Sequence, residues 1–201
     1  MAKRQTISKR QAPRAKKAPS KKSREAPQAD RPFAPGYGIV GAKEGAGLLA
    51  WSWVGRKMNS CHTFWVATVS AVSLQPHVMP VWGVWLEDSF FFSTGRKSRK
   101  AQNLLANPSC TVTNADGEQA VIVEGRASIA ENVAVLDRVA DLYKKKYKMD
   151  PRGMGEPIFA VRPTKVFGFV EKSFPKSATR WIFPDNQATG VRSPDSRANG
   201  S

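Results

Sequence analysis

The sequence predicts a mainly β protein, an antiparallel barrel that is closed or nearly closed and carries a few helices. Three observations lead there. Short segments rich in β-branched and aromatic residues follow one another at hairpin spacing, turn-forming residues separate them, and only two segments show an apolar stripe at helical spacing. No internal repeat is visible.

The first two segments, "TFWVATVSAV" (63–72) and "HVMPVWGVWLE" (77–87), are joined by Ser73-Leu74-Gln75-Pro76 and read as antiparallel neighbours. After a turn at Glu87-Asp88-Ser89 come "FFFST", then "SCTVTNA" (109–115), then "QAVIVEGRASIA" (119–130). The last two flank Asp116-Gly117, a dipeptide whose backbone suits a tight hairpin. "PIFAVRPTKVFGFVEK" (157–172) predicts one or two more strands, and "TRWIF" (179–183) a short last one.

Two helices interrupt this order. Residues 98–106 place Ala101, Leu104 and Leu105 on one stripe, with Ser98 as N-cap and Asn107-Pro108 as the stop. Residues 131–148 repeat Val133, Leu136, Ala140, Tyr143 and Tyr147 at helical spacing, a face expected to meet the core. Lys144, Lys145, Lys146 and Lys148 lie mostly off that stripe, as a solvated face that also suits the negative end of the helix dipole.

Charge divides the chain of 201 residues. The net charge is +16, and residues 1–32 hold eleven Lys or Arg against Glu25 and Asp30. More than half of the excess therefore sits in a segment of Lys, Arg, Ala, Pro, Ser and Gln that has too little apolar surface to offset the entropy of ordering. Residues 1–35 are expected to be a disordered basic tail, residues 36–183 the folded domain, and residues 184–201 a second loose tail. The basic tail reads as a solubility tail, as a weak contact to nucleic acid or another polyanion, or as a transit peptide.

Two cysteines, Cys61 and Cys110, and two histidines, His62 and His77, are too few for a disulfide framework or a structural zinc site. No apolar run is long enough to span a bilayer and no secretory core is present, so a soluble, cytoplasmic protein is expected. No Ser-His-Asp set or carboxylate pair stands out, and His77, alone at a strand start, reads as structural more readily than as a proton carrier.

One stretch remains dense in charge: "STGRKSRK" (93–100). It lacks the second glycine of a phosphate-binding Gly-x-x-x-x-Gly-Lys-Ser/Thr loop, and its basic run stops within one helical turn, unlike a duplex-binding stripe. A strand ending at Ser93-Thr94, a turn at Gly95 and a helix starting at Ser98 would bring open amides and the positive helix end together with Arg99 and Lys100. That geometry suits a terminal phosphate, Arg supplying a planar fork and Lys a point charge. Plain surface charge is the competing reading, and it fits Arg96 and Lys97 well.

Together with these residues, "PHVMPVWGVWLEDSFFFSTGRKSRKAQNL", "VIVEGRA" (121–127) and "RWIF" (180–183) resemble the pyridoxamine 5′-phosphate oxidase-like superfamily of flavin-binding split β-barrels, over roughly residues 48–183. The resemblance implies an antiparallel split β-barrel of the FMN-binding type, a homodimer with the cofactor at the interface, and hydride or two-electron transfer on a small substrate. It assigns the FMN phosphate to Ser98, Arg99 and Lys100, with Ser93 and Thr94 touching the phosphate or ribityl chain. The backbone of Val78, Met79, Pro80, Val81 and Trp82, running on to Gly83, would lie along the isoalloxazine ring, and Arg180 and Trp181 would reach the cofactor from the neighbouring subunit. Taken from the residues alone, Trp82 and Trp85 also suit a core, and Trp181 the end of a barrel. True oxidases carry a C-terminal Arg-x-His-type segment where this chain has "TRWIF", so pyridoxamine phosphate is not the expected substrate. The deazaflavin F420 is the alternative cofactor, and a non-catalytic basic barrel that binds nucleic acid is the rival from another class.

Overall fold

The computed structural model describes residues 26–39 and 47–184. Its strands are β1 (Gln28–Asp30), β2 (Phe64–Val69), β3 (Pro76–Val81), β4 (Val84–Leu86), β5 (Ser89–Ser93), β6 (Ser109–Asn114), β7 (Gln119–Ile129), β8 (Ile158–Val170) and β9 (Thr179–Ile182). The helices are α1 (Trp51–Ser60), α2 (Arg99–Ala106) and α3 (Val133–Tyr147).

Period-two alternation turns one row of each strand inward. On β2 that row is Phe64, Val66 and Thr68, and on β7 it is Val121, Val123, Gly125 and Ala127. These residues close on Phe90, Phe92, Val112, Phe159, Val161 and Val166 to make the main core, with Val54 and Met58 of α1 and Ala101 and Leu104 of α2 plugging it. Each large side chain so buried stabilises the fold by about 1.5–3 kcal/mol.

All strand pairs are antiparallel, in the order β1-β9-β8-β7-β6-β2-β3. The split lies in β8. Its first half pairs with β5 (Phe90↔Val161) and its second half with β9 (Val166↔Trp181), while β7 runs along nearly its whole length on the other side. A bulge between Glu124 and Gly125 lets β7 follow that bend, and Gly125 is needed there because a Cβ would stand 2.4 Å from the Arg162 carbonyl oxygen. The expected split antiparallel barrel is thus found, as a sheet that forks without closing.

The structure departs from the sequence reading in several places. The single strand expected over 77–87 is two, β3 and β4, broken at Trp82-Gly83. A Cβ on Gly83 would lie 2.1 Å from Phe90 Cζ, and tyrosine hydroxyls of α3 occupy the backbone groups of both residues. Helix α1 was not anticipated, although Trp51, Val54 and Met58 recur at helical spacing. Val133 on α3 is 72% exposed where a core contact was expected; Val139 takes that place, packing with Ala160, Tyr143 and Tyr147 against Val84, Phe91 and Ile158. A strand lies inside the predicted N-terminal tail: β1 pairs with β9, and Asp30 holds Arg180, a specific ion pair that composition does not reveal. The β2–β3 connection also closes earlier than expected, by Ser70 N–H on the Gln75 carbonyl at 3.1 Å. The rest of the predicted basic tail and all of the C-terminal tail beyond Pro184 lie outside the described residues.

Candidate functional site

The stretch 93–100 folds as a strand end, a loop and a capped helix start. Ser98 has extended backbone, and its Oγ accepts the Ala101 N–H at 3.2 Å, while its own N–H donates to the Gly95 carbonyl at 2.8 Å. Thr94 Oγ1 lies 3.1 Å from Ser98 Oγ, which brings two hydroxyls to one point. Arg99 and Lys100 are the first two helical residues, and their amides have no carbonyl one turn earlier to reach. The helix end therefore presents open donors and positive potential beside a guanidinium and an ammonium. Arg99 is exposed, whereas Lys100 is half-buried and burial pulls its ammonium below the usual lysine range. A desolvated cation of this kind is stabilised by an arriving anion.

Arg96 belongs to the support of the loop. Its N–H donates to the Glu156 carboxylate at 2.7 Å, and its carbonyl accepts from Gln102 Nε2 at 2.9 Å. The side chains of Arg96 and Lys97 are both exposed. Ser93 is tied down too: its Oγ donates to the Pro157 carbonyl at 3.3 Å.

Strand β3 is the last in the sheet order, so its outer edge has no strand partner among the described residues. It is unusually apolar for an edge: Val78 is 50% exposed, Met79 42% and Trp82, just beyond it, 46%. Pro80 is exposed as well, while the Val81 side chain turns into the core. His77 is half-buried, and its carbonyl accepts from Thr68 Oγ1 at 3.3 Å.

Residues that the sequence did not mark as part of a site tie these regions to each other or to α3. Asn103, buried on α2, donates through Nδ2 to Thr68 Oγ1 at 3.0 Å, and Thr68 in turn holds His77 on β3. From α3, Tyr143 Oη donates to the Trp82 carbonyl at 2.7 Å and accepts the Ser93 N–H at 3.3 Å. Tyr147 Oη accepts the Gly83 N–H at 3.0 Å, and its ring stacks on Trp82 with centroids 4.9 Å apart. Helical spacing alone had marked both tyrosines as core; only the hydroxyls hint at more, since buried tyrosines need partners. Lys146, beside them, donates to the Gly83 carbonyl at 3.1 Å with its ammonium over the Phe64 ring, and burial lowers its pKa to about 8.

Arg180 and Trp181 stand apart from this arrangement. Trp181 is 1% exposed and packs inside its own barrel, 5.6 Å from Trp51 between ring centroids. Its indole is thus enclosed within its own chain, beneath Trp51. Arg180 is partly buried, and its Nε donates to Asp30 Oδ1 at 2.8 Å. Among the described residues no three His, Cys, Asp or Glu side chains gather as a metal site, and no helix is long and apolar enough to cross a membrane.

The family model described as "Pyridoxamine 5'-phosphate oxidase" matches residues 56–169, more than half of the chain, a span that includes β3 and α2 and stops short of Arg180. No curated protein sequence matches significantly. Among solved structures, General Stress Protein 26 from Bacillus anthracis aligns at TM-score 0.50 and 19% identity, over 59% of this chain and 92% of that one. A candidate pyridoxamine 5′-phosphate oxidase from Listeria innocua aligns at TM-score 0.50 and 12% identity, over 59% and 96%. A candidate 5-nitroimidazole antibiotic resistance protein from Bacteroides thetaiotaomicron aligns at TM-score 0.53 and 12% identity, over 67% and 87%. At these identities the likeness is one of fold.

Proposed function

Because the chain belongs to the pyridoxamine 5′-phosphate oxidase family, we propose that it is a flavin-dependent oxidoreductase that binds FMN and moves a hydride to or from a small organic substrate. The observation that carries this reading is the start of α2, where the Ser98 cap, the paired hydroxyls of Thr94 and Ser98, and the half-buried Lys100 converge. The donor set suits a phosphate dianion: open amides, a guanidinium fork and an ammonium, with hydroxyls to orient it.

The chain's own residues would divide the work. Ser98, Arg99 and Lys100 hold the phosphate, with Ser93 and Thr94 beside them. The outer edge of β3, Val78 to Trp82, offers backbone groups to the polar rim of a planar ring. Its exposed Val78, Met79 and Trp82, with Trp65 on β2, would be covered by a second copy of the chain, so that dimerisation excludes water from the ring. When bound, FMN supplies the two-electron chemistry, which explains why no side-chain acid–base set is required. F420 is the alternative occupant, since its phosphate would meet the same donors. The polyanion reading rests on the basic N-terminal segment, which lies largely outside the described residues.

A visible titration tests the proposal. Purified protein is titrated with FMN and then with F420, and the cofactor band is followed. A saturable shift with FMN is the expected result. Saturation with F420 alone would move the assignment to the deazaflavin, and binding of neither would overturn the oxidoreductase reading.

A further inference from the structure

We infer that Tyr143 is a positioning residue: its single hydroxyl, bonded at once to the Trp82 carbonyl and the Ser93 amide, sets the separation between the strand that carries the ring and the loop that carries the phosphate. The inference rests on the cofactor assignment above and adds the element that holds its two halves in register.

The geometry is specific. Trp82 is the residue at which the outer strand ends and the chain kinks through Gly83 into β4. Ser93 is the last residue of β5, immediately before the Thr94-Gly95 loop that leads to the Ser98 cap. No sheet ladder joins these two points directly: β3 pairs with β2, and β5 pairs with β4 and β8. The Tyr143 side chain is 1% exposed and sits in the cluster formed with Val84, Phe91 and Ile158, so its ring is fixed by packing. One phenol carries one proton. At 2.7 Å the Trp82 carbonyl is the acceptor of choice over the Phe91 carbonyl at 3.5 Å, and the oxygen remains free to accept from Ser93. Burial raises the phenol's pKa far above its ordinary value, so the proton stays in place and the bridge does not depend on pH near neutrality.

A ligand that touches only one end is indifferent to the distance between the ends. A rigid ligand that touches both is not. Tyr143→Phe keeps the packing ring and removes both hydrogen bonds, so it should weaken the two-point ligand selectively. Tyr147→Phe is the matched control, because the Tyr147 hydroxyl reaches Gly83 and the His62 carbonyl but nothing on β5.

The experiment measures Kd for FMN and for riboflavin, which lacks the phosphate, in wild type and both variants, with thermal melts to confirm folding. If wild type takes only F420, that cofactor is compared with its phosphate-free deazariboflavin core. Tyr143→Phe is expected to raise the FMN Kd about tenfold, the effect of roughly two neutral hydrogen bonds of modest strength, with riboflavin changed less than about twofold. Tyr147→Phe is expected to leave the ratio of the two constants unchanged. Equal weakening of both flavins by Tyr143→Phe, no weakening of either, or the same change of ratio in Tyr147→Phe would overturn the inference. Failure of wild type to bind any of these cofactors would instead remove the cofactor assignment on which the inference stands.

Discussion

Arg99→Ala/Lys100→Ala is expected to bind FMN about 100-fold more weakly than wild type while riboflavin affinity changes less than about threefold. Charge-assisted hydrogen bonds contribute about 1.5–3 kcal/mol each, and an exposed one nearer to 1 kcal/mol, so an exposed Arg99 with a half-buried Lys100 amounts to about 3 kcal/mol. Flavin fluorescence quenching measures both constants. The selectivity matters more than the size of the loss, because the two residues lie at the helix start and riboflavin has no group for them to hold. An equal fall for both flavins would mean that the double substitution had disturbed the barrel or the ring strand, and no fall would remove the phosphate from α2.

Trp181→Ala is expected to destabilise the fold by about 3–5 kcal/mol, the range for truncating a fully buried large aromatic, and to lower Tm by about 10 °C or more. The residue packs against Trp51, and a Cβ on Gly168 would lie 2.9 Å from its ring, so the space it vacates cannot be filled by a small shift. Urea unfolding measures the loss. In the folded fraction the FMN Kd should stay within about threefold of wild type, since the indole faces its own core. A normal midpoint with strongly weakened FMN binding would restore Trp181 to the cofactor site and contradict the packing described above.

Local rules made much of the fold legible. Asp116-Gly117 marked its hairpin because the Asp116 carboxylate bonds the Glu118 and Gln119 amides, both at 3.1 Å, a purely local device. Ser98 was readable as an N-cap for the same reason, and the helix stop at Asn107-Pro108 follows from the proline. Long-range pairings were not legible. Nothing near Trp82-Gly83 in the sequence announces that Phe90 crowds Gly83 or that hydroxyls from α3 occupy its backbone, so the break between β3 and β4 appeared only in three dimensions. Asp30 gave no local sign of its pairing with Arg180, 150 residues away in sequence.

The site divides along the same line. Ser93 to Lys100, whose geometry follows from sequence neighbours, take the strand end, loop and capped helix start that their pattern implied. Those whose role is to join separate elements, Thr68, Asn103, Tyr143 and Tyr147, carried only an apolar or small-polar signature. A buried hydroxyl or amide is informative once its partner is known, and the partner is set by topology. Trp181 shows the converse case, a motif residue that suited both a core and a site and whose indole packs in the core.

The most direct measurement is a crystal structure of the protein with FMN bound. The predicted result has the phosphate within hydrogen-bond distance of Ser98 Oγ, the Arg99 and Lys100 amides and the Lys100 ammonium, with the isoalloxazine ring along the outer edge of Val78–Trp82. A phosphate lodged away from the start of α2, or a ring held by a strand other than β3, would contradict it.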